Sequence, residues 1–136
     1  MLDPDRRLSP GELSADAFAA VEAYGCDTAV LAGFLRLLVV PERWIGRVLN
    51  IHPSLLPAFG GKGFYGLRVH EAVLARGCEF TGCTVHYVTN EYDAGPILHQ
   101  RVVAVRPDDT PEALAARVFE EEKLALPEAL RRHFQR

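Results

Sequence analysis

Asn50 and His52 stand two positions apart directly after the apolar run Arg47-Val48-Leu49, and Pro53 follows them. On an extended backbone, positions i and i+2 face the same side, so this amide and imidazole converge on one point. Pro53 and Pro57 fix φ and withhold an N–H from any ladder, which ends the strand here and projects its last side chains from the sheet. Ligands of open α/β sheets collect at such carboxyl ends. Farther along, Tyr92-Asp93-Ala94-Gly95-Pro96 supplies a carboxylate in a tight Gly-Pro loop between two further apolar runs. An amide donor for a developing oxyanion, an imidazole that moves a proton and a carboxylate that orients or charge-stabilises it are the parts that acyl transfer needs. Losing one such donor costs about 2.7–4 kcal/mol of transition-state stabilisation, and a positioned acid or base contributes ~100- to 10,000-fold.

Elements that could hold these groups follow from spacing and punctuation. Residues 1–13, with Pro4, Pro10 and Gly11 and no apolar period, read as an irregular arm, and residues 14–136 as a single domain. Ser14 is the expected N-cap of a helix of about ten residues with Ala17, Phe18 and Val21 on one face and Gly25 past its end. A buried strand is expected over 28–34, a short helix or turn over 41–46, and the Asn50 strand over 47–51, a crossover unit of parallel type. A helix over 67–76 ended by Gly77 comes next, then strands near 83–89 and 97–105. Thr110-Pro111 opens a last helix that Pro127 must kink or interrupt.

Composition narrows the function. The chain has 136 residues, 49% hydrophobic and 24% charged, with a net charge of −3 and scattered basic residues, which disfavours a nucleic-acid partner. The apolar stretch from Leu35 to Val40 is broken by Arg36 and stopped by Pro41, far short of the ~20 residues that cross a bilayer. The acidic start lacks a signal-type apolar segment, so a cytoplasmic protein is expected. Cys26, Cys78 and Cys83 form no CxxC pair and are expected as reduced, partly buried thiols, and no metal cluster is expected. The stretch Gly60 to Gly66 holds a literal GxGxxG, but no strand precedes it directly and no acidic residue stands about twenty positions on, so it reads as a loop beside the site rather than a dinucleotide motif. His70 reads as a helix-surface residue, and His86, by alternation, faces away from Val85 and Tyr87.

Taken in order, Asn50-Ile51-His52-Pro53-Ser54-Leu55-Leu56-Pro57, Gly82-Cys83-Thr84-Val85-His86-Tyr87-Val88 and Asp93-Ala94-Gly95-Pro96-Ile97-Leu98 resemble the phosphoribosylglycinamide formyltransferases, over about residues 14–130. The resemblance implies an α/β fold with a three-layer, doubly wound, mostly parallel sheet. It implies formyl transfer from 10-formyltetrahydrofolate to the amine of glycinamide ribonucleotide without a metal, catalysed by Asn50, His52 and Asp93, with His86 supporting Asp93. The folate would lie between the main chain of the Thr89, Asn90, Glu91 and Tyr92 turn and an apolar wall of Leu35, Leu37, Leu38 and Leu49, with Arg36 either meeting its glutamate or solvated. Pro53 and Glu122 would contact the acceptor, Glu122 at the ribose hydroxyls.

One departure bears on the acceptor. The family's usual strand and glycine-containing phosphate loop do not precede residue 14, so the chain reads as truncated at its N-terminus, with weak acceptor binding and an exposed sheet edge that favours a homodimer or another partner. Two other readings compete: hydrolysis, as in formyltetrahydrofolate deformylase, and a non-catalytic folate-binding remnant. His-Pro-Ser after Asn50-Ile51, where deformylases carry His-His-Ser, disfavours the first. A methionyl-tRNA formyltransferase fits less well, because its basic tRNA-binding extension is absent.

Overall fold

The computed structural model describes residues 9–31 and 38–135. Its first helix, α1 (Pro10–Ala23), opens on a capping box: the Ser9 side chain accepts from the Glu12 N–H at 3.2 Å, and the Glu12 carboxylate reaches back to the Ser9 N–H. This corrects the arm expected through residue 13 and the N-cap expected at Ser14. Pro10 stands at the helix start, where its missing N–H would have no partner anyway, so it starts the helix instead of breaking it. Ser14 is buried inside α1, and its Oγ accepts from the Val39 N–H at 2.7 Å.

Among the described residues four strands follow, β1 (Ala29–Leu31), β2 (Val48–His52), β3 (Phe80–Tyr87) and β4 (Ile97–Ala104), side by side in chain order. β1 and β2 are parallel, while β2/β3 and β3/β4 are antiparallel. The α/β expectation holds, but the described sheet is mixed rather than mostly parallel. The β3–β4 connection is a short hairpin, and a parallel return would need a crossover of a dozen residues or more. The stretch of β1 expected beyond Leu31 lies outside the described residues. Between β2 and β3 comes α2 (Leu67–Arg76), stopped at the left-handed Gly77. The last helix, α3 (Pro111–Phe134), is capped by Thr110 and runs through Pro127 as one element. Pro127 therefore ends nothing; it only leaves the Lys123 carbonyl without its helical N–H donor.

The sheet is covered on both faces, giving three layers. On one side, Phe18 of α1 packs with Leu38, Val40, Trp44, Val48 and Val88. The Phe18 and Trp44 rings lie 5.3 Å apart, and the Trp44 indole N–H donates to Glu22 at 2.7 Å. On the other side, Leu49, Val85 and Tyr87 meet Val73 of α2 and Leu114, Val118, Ala125 and Ala129 of α3. Each fully buried Val or Leu side chain there contributes about 1.5–3 kcal/mol. Cys83 belongs to this core whereas Cys26 is exposed, so the three free thiols do not share one environment.

Candidate active site

Pairing between β2 and β3 sets Asn50 opposite His86 and His52 opposite Thr84. All four side chains share the face that Leu49 and Ile51 turn away from. A register shift between Val85 and His86 falls at the same level, the kind of irregularity that re-aims a side chain. Asn50 Nδ2 lies 3.2 Å from His86 Nε2, and His86 Nδ1 lies 3.0 Å from the Tyr87 carbonyl oxygen. Because a carbonyl only accepts, Nδ1 carries the hydrogen and Nε2 accepts from the Asn50 amide. His86 thus orients Asn50.

The β3–β4 loop delivers the carboxylate. The Tyr87 N–H donates to the Pro96 carbonyl at 2.9 Å, and a Cβ on Gly95 would stand 1.7 Å from the Tyr87 oxygen, so only glycine lets the loop close this tightly. Asp93 Oδ1 lies 3.5 Å from His52 Nδ1 and 3.6 Å from His86 Nε2. Asp93 Oδ2 accepts the Gly61 N–H at 2.9 Å. On the far side of His52, Nε2 meets the Phe59 carbonyl at 2.8 Å.

Burial pushes the His52 pKa down, and although Asp93 and the Phe59 carbonyl oppose this, it stays below the ordinary histidine value. Burial pushes Asp93 up, but His86, the Gly61 N–H and the charge of His52 outweigh it and leave the carboxyl below its usual range. The site at neutral pH therefore pairs a neutral imidazole with a carboxylate, the states that suit a base and its partner. Burial, with Glu122 second, pushes the Cys83 thiol up to about 11, which removes it as a nucleophile.

A cavity of about 1260 Å³ opens on this cluster. Asn50, His52, Pro53, Tyr92, Asp93 and Glu122 all line it. Burial raises the Glu122 pKa there. Leu38 and Leu49 do not line it. They are 5% and 0% exposed, Leu38 in the core around Phe18 and Trp44 and Leu49 in the core that β2 and β3 share with α2 and α3. Leu35, Arg36 and Leu37 lie outside the described residues. Thr89 and Glu91 bond to each other within the turn, and the Asn90 side chain accepts from the Val40 N–H at 2.7 Å. Asn90 therefore ties the turn to the segment before residues 42–44, at Val40, with a side chain that cannot vary freely.

Several lining residues escape the sequence reading. His70 is buried against the cavity, and its Nδ1 has no hydrogen-bond partner among the described residues. The apolar spacing of Leu67, Val73 and Leu74 would have put it on the inward face of α2. Lys62, Phe64, Tyr65 and Arg68 come from the glycine-rich stretch and the start of α2, and Phe119, Lys123, Leu126 and Leu130 from α3. Among the described residues no group of three or more His, Cys, Asp or Glu side chains is placed to hold a metal ion, and no helix is long and apolar enough to cross a membrane.

Comparison with known proteins adds independent findings. The family described as formyl transferase matches residues 4–130. A phosphoribosylglycinamide formyltransferase, chloroplastic, of Arabidopsis thaliana is 50% identical over 122 residues, which is 88% of this chain and 40% of the relative. This chain thus spans about two fifths of that relative's length. The crystal structure of glycinamide ribonucleotide transformylase 1 from Symbiobacterium toebii superposes with a TM-score of 0.85 at 42% identity, covering 96% of this chain and 60% of that one. A formyltetrahydrofolate deformylase from Pseudomonas syringae gives a TM-score of 0.80 at 33% identity, covering 98% of this chain and 43% of that one.

Proposed function

Since the chain belongs to the formyl transferase family, we propose that it transfers a formyl group from 10-formyltetrahydrofolate to the amine of glycinamide ribonucleotide, a step of purine biosynthesis. The observation that carries this reading is the convergence of Asn50, His52 and Asp93 within one cavity wide enough for both substrates. The acceptor amine attacks the formyl carbon, and Asn50, held by His86, donates to the oxygen that becomes negative. His52 takes the proton that the attacking nitrogen sheds, Asp93 stabilises the resulting imidazolium, and the carbon–nitrogen bond to the folate breaks as its nitrogen is protonated.

In the same reading the Thr89 to Tyr92 turn receives the folate through its main chain, and Pro53 and Glu122 face the acceptor. Leu35, Arg36 and Leu37 keep their proposed place near the folate, while Leu38 and Leu49 act behind the site as core. A cytoplasmic location and a homodimer belong to the proposal as well.

The likeness to a deformylase supports one rival, hydrolysis of the same formyl donor. Product analysis separates the two. Purified protein with both substrates should give formylated acceptor by mass spectrometry, whereas release of free formate without acceptor would favour hydrolysis. Saturable binding of a folate analogue with neither product would leave a binding protein and overturn both enzymatic readings.

A further inference from the structure

The glycine-rich stretch that no motif explained, together with Phe59 just before it, touches both members of the proton-handling pair through main-chain atoms. The Phe59 carbonyl accepts from His52 Nε2 at 2.8 Å, and the Gly61 N–H donates to Asp93 Oδ2 at 2.9 Å. Among the described residues, the non-glycine positions with positive φ are Phe59, at 54°, and Asp93, at 51°. Such conformations persist only where the surroundings enforce them, and here the two strained residues meet at one site. Gly60 lies between the two contacts. A Cβ there would stand 2.5 Å from Leu56 Cδ2 and 3.3 Å from Asp93 Cβ, and Leu56 is itself buried, so it has little room to retreat.

A carbonyl oxygen only accepts, so Nε2 must carry the hydrogen and neutral His52 keeps its lone pair on Nδ1. Across 3.5 Å from that bare nitrogen stands Asp93 Oδ1. Two acceptors facing one gap leave a place for a single N–H or O–H donor, and both residues line the cavity.

Resting on the formyl-transfer reading, the geometry points to the Phe59 carbonyl and Gly60 as positioning elements that fix the tautomer of His52 and make Nδ1, not Nε2, the nitrogen that takes the amine's proton. In that step the substrate N–H bond breaks, its electron pair stays on the substrate nitrogen, and an N–H bond forms at Nδ1. The imidazolium then points one N–H at the Phe59 carbonyl and the other at Asp93, both of which favour the cation. The Nδ1 proton is afterwards passed to the departing folate nitrogen, which restores the neutral ring.

Long-range proton–nitrogen NMR of protein labelled with ¹⁵N-histidine tests this without any turnover. Wild-type His52, assigned by its disappearance in His52→Gln, should show the Nε2–H tautomer. In Gly60→Ala that signature should give way to a mixture, and kcat should fall on the order of 10- to 100-fold while the KM for the folate moves little. An Nδ1–H tautomer in the wild type would overturn the inference even if Gly60→Ala failed to fold. So would a Gly60→Ala protein that keeps both the Nε2–H signature and wild-type kcat. Because the tautomer is read from the resting protein, absence of formyl transfer would refute the activity and leave the positioning claim to be judged by its own spectrum.

Discussion

The two faces of β2 and β3 are equally buried and differ in almost everything else. On the face toward α3, Leu49, Val85 and Tyr87 pack with Leu114 and Val118, and the energy is non-directional transfer from water. On the opposite face, Thr84 is 0% exposed, His86 2% and His52 4%, yet every one of them holds a hydrogen bond. Thr84 alone donates to the Ser54 carbonyl at 2.7 Å and accepts from the Leu56 N–H at 3.1 Å and from Gln100 at 3.0 Å. One strand pair thus carries a face held by apolar packing and a face whose buried polar residues are each hydrogen-bonded. Damage to the first should appear in stability, and damage to the second in turnover at His52 and in stability at Thr84.

The largest effect should come from the polar face. His52→Ala should lower formyl transfer by ~100- to 10,000-fold while the melting temperature and folate affinity stay close to wild type. Steady-state rates and calorimetry on the same preparation check this, and near-normal turnover would abolish the contrast between faces. Across the sheet, Leu114→Ala should cost about 2–5 kcal/mol in urea unfolding with kcat of the folded protein unchanged. A loss of kcat there would mean that the two faces are mechanically one. Thr84→Val keeps the shape and removes the hydroxyl, so it sharpens the comparison: each stranded partner costs about 1–3 kcal/mol, and a neutral result would show that water replaces the hydroxyl.

The smallest effect is the pH response. His52 has its pKa lowered in the folded chain, so between that value and the ordinary ~6.5 the unfolded chain binds a proton that the native one does not. Stability should therefore rise with pH through this window and fall on acidification below about 6.5. Asp93, also lowered, adds stability above the usual carboxylate value that is lost as the pH falls through its folded pKa. Denaturant midpoints across that range should decline toward acid, less steeply in His52→Gln. A midpoint that climbs on acidification would contradict the assignment.

Sequence made the candidate cluster legible because its signals are local: two-residue alternation places Asn50 beside His52, and prolines end the strand just after them. Ser9-Pro10-Gly11-Glu12 misled because proline and glycine read as breakers, although the serine and glutamate spacing spelled a cap. Strand direction was hidden, since a residue pattern tells which side faces the core and not which way the neighbour runs. Main-chain contacts such as Phe59 to His52 have no side-chain signature at all. The α3 wall of the cavity could be found only by asking which helical face remains once Leu114, Val118, Ala125 and Ala129 are assigned to the core.

That helix has one more consequence. α3 presents Ala125 and Ala129 to the core while its next residues, Leu126 and Leu130, border the cavity. A rigid rod shared in this way makes occupancy and folding thermodynamically linked, since whatever fills the cavity binds the native chain alone. Ligand at a hundred times its dissociation constant would add about 2.7 kcal/mol to unfolding. The thermal midpoint then serves as a gauge of binding that works equally well in variants with no chemistry left.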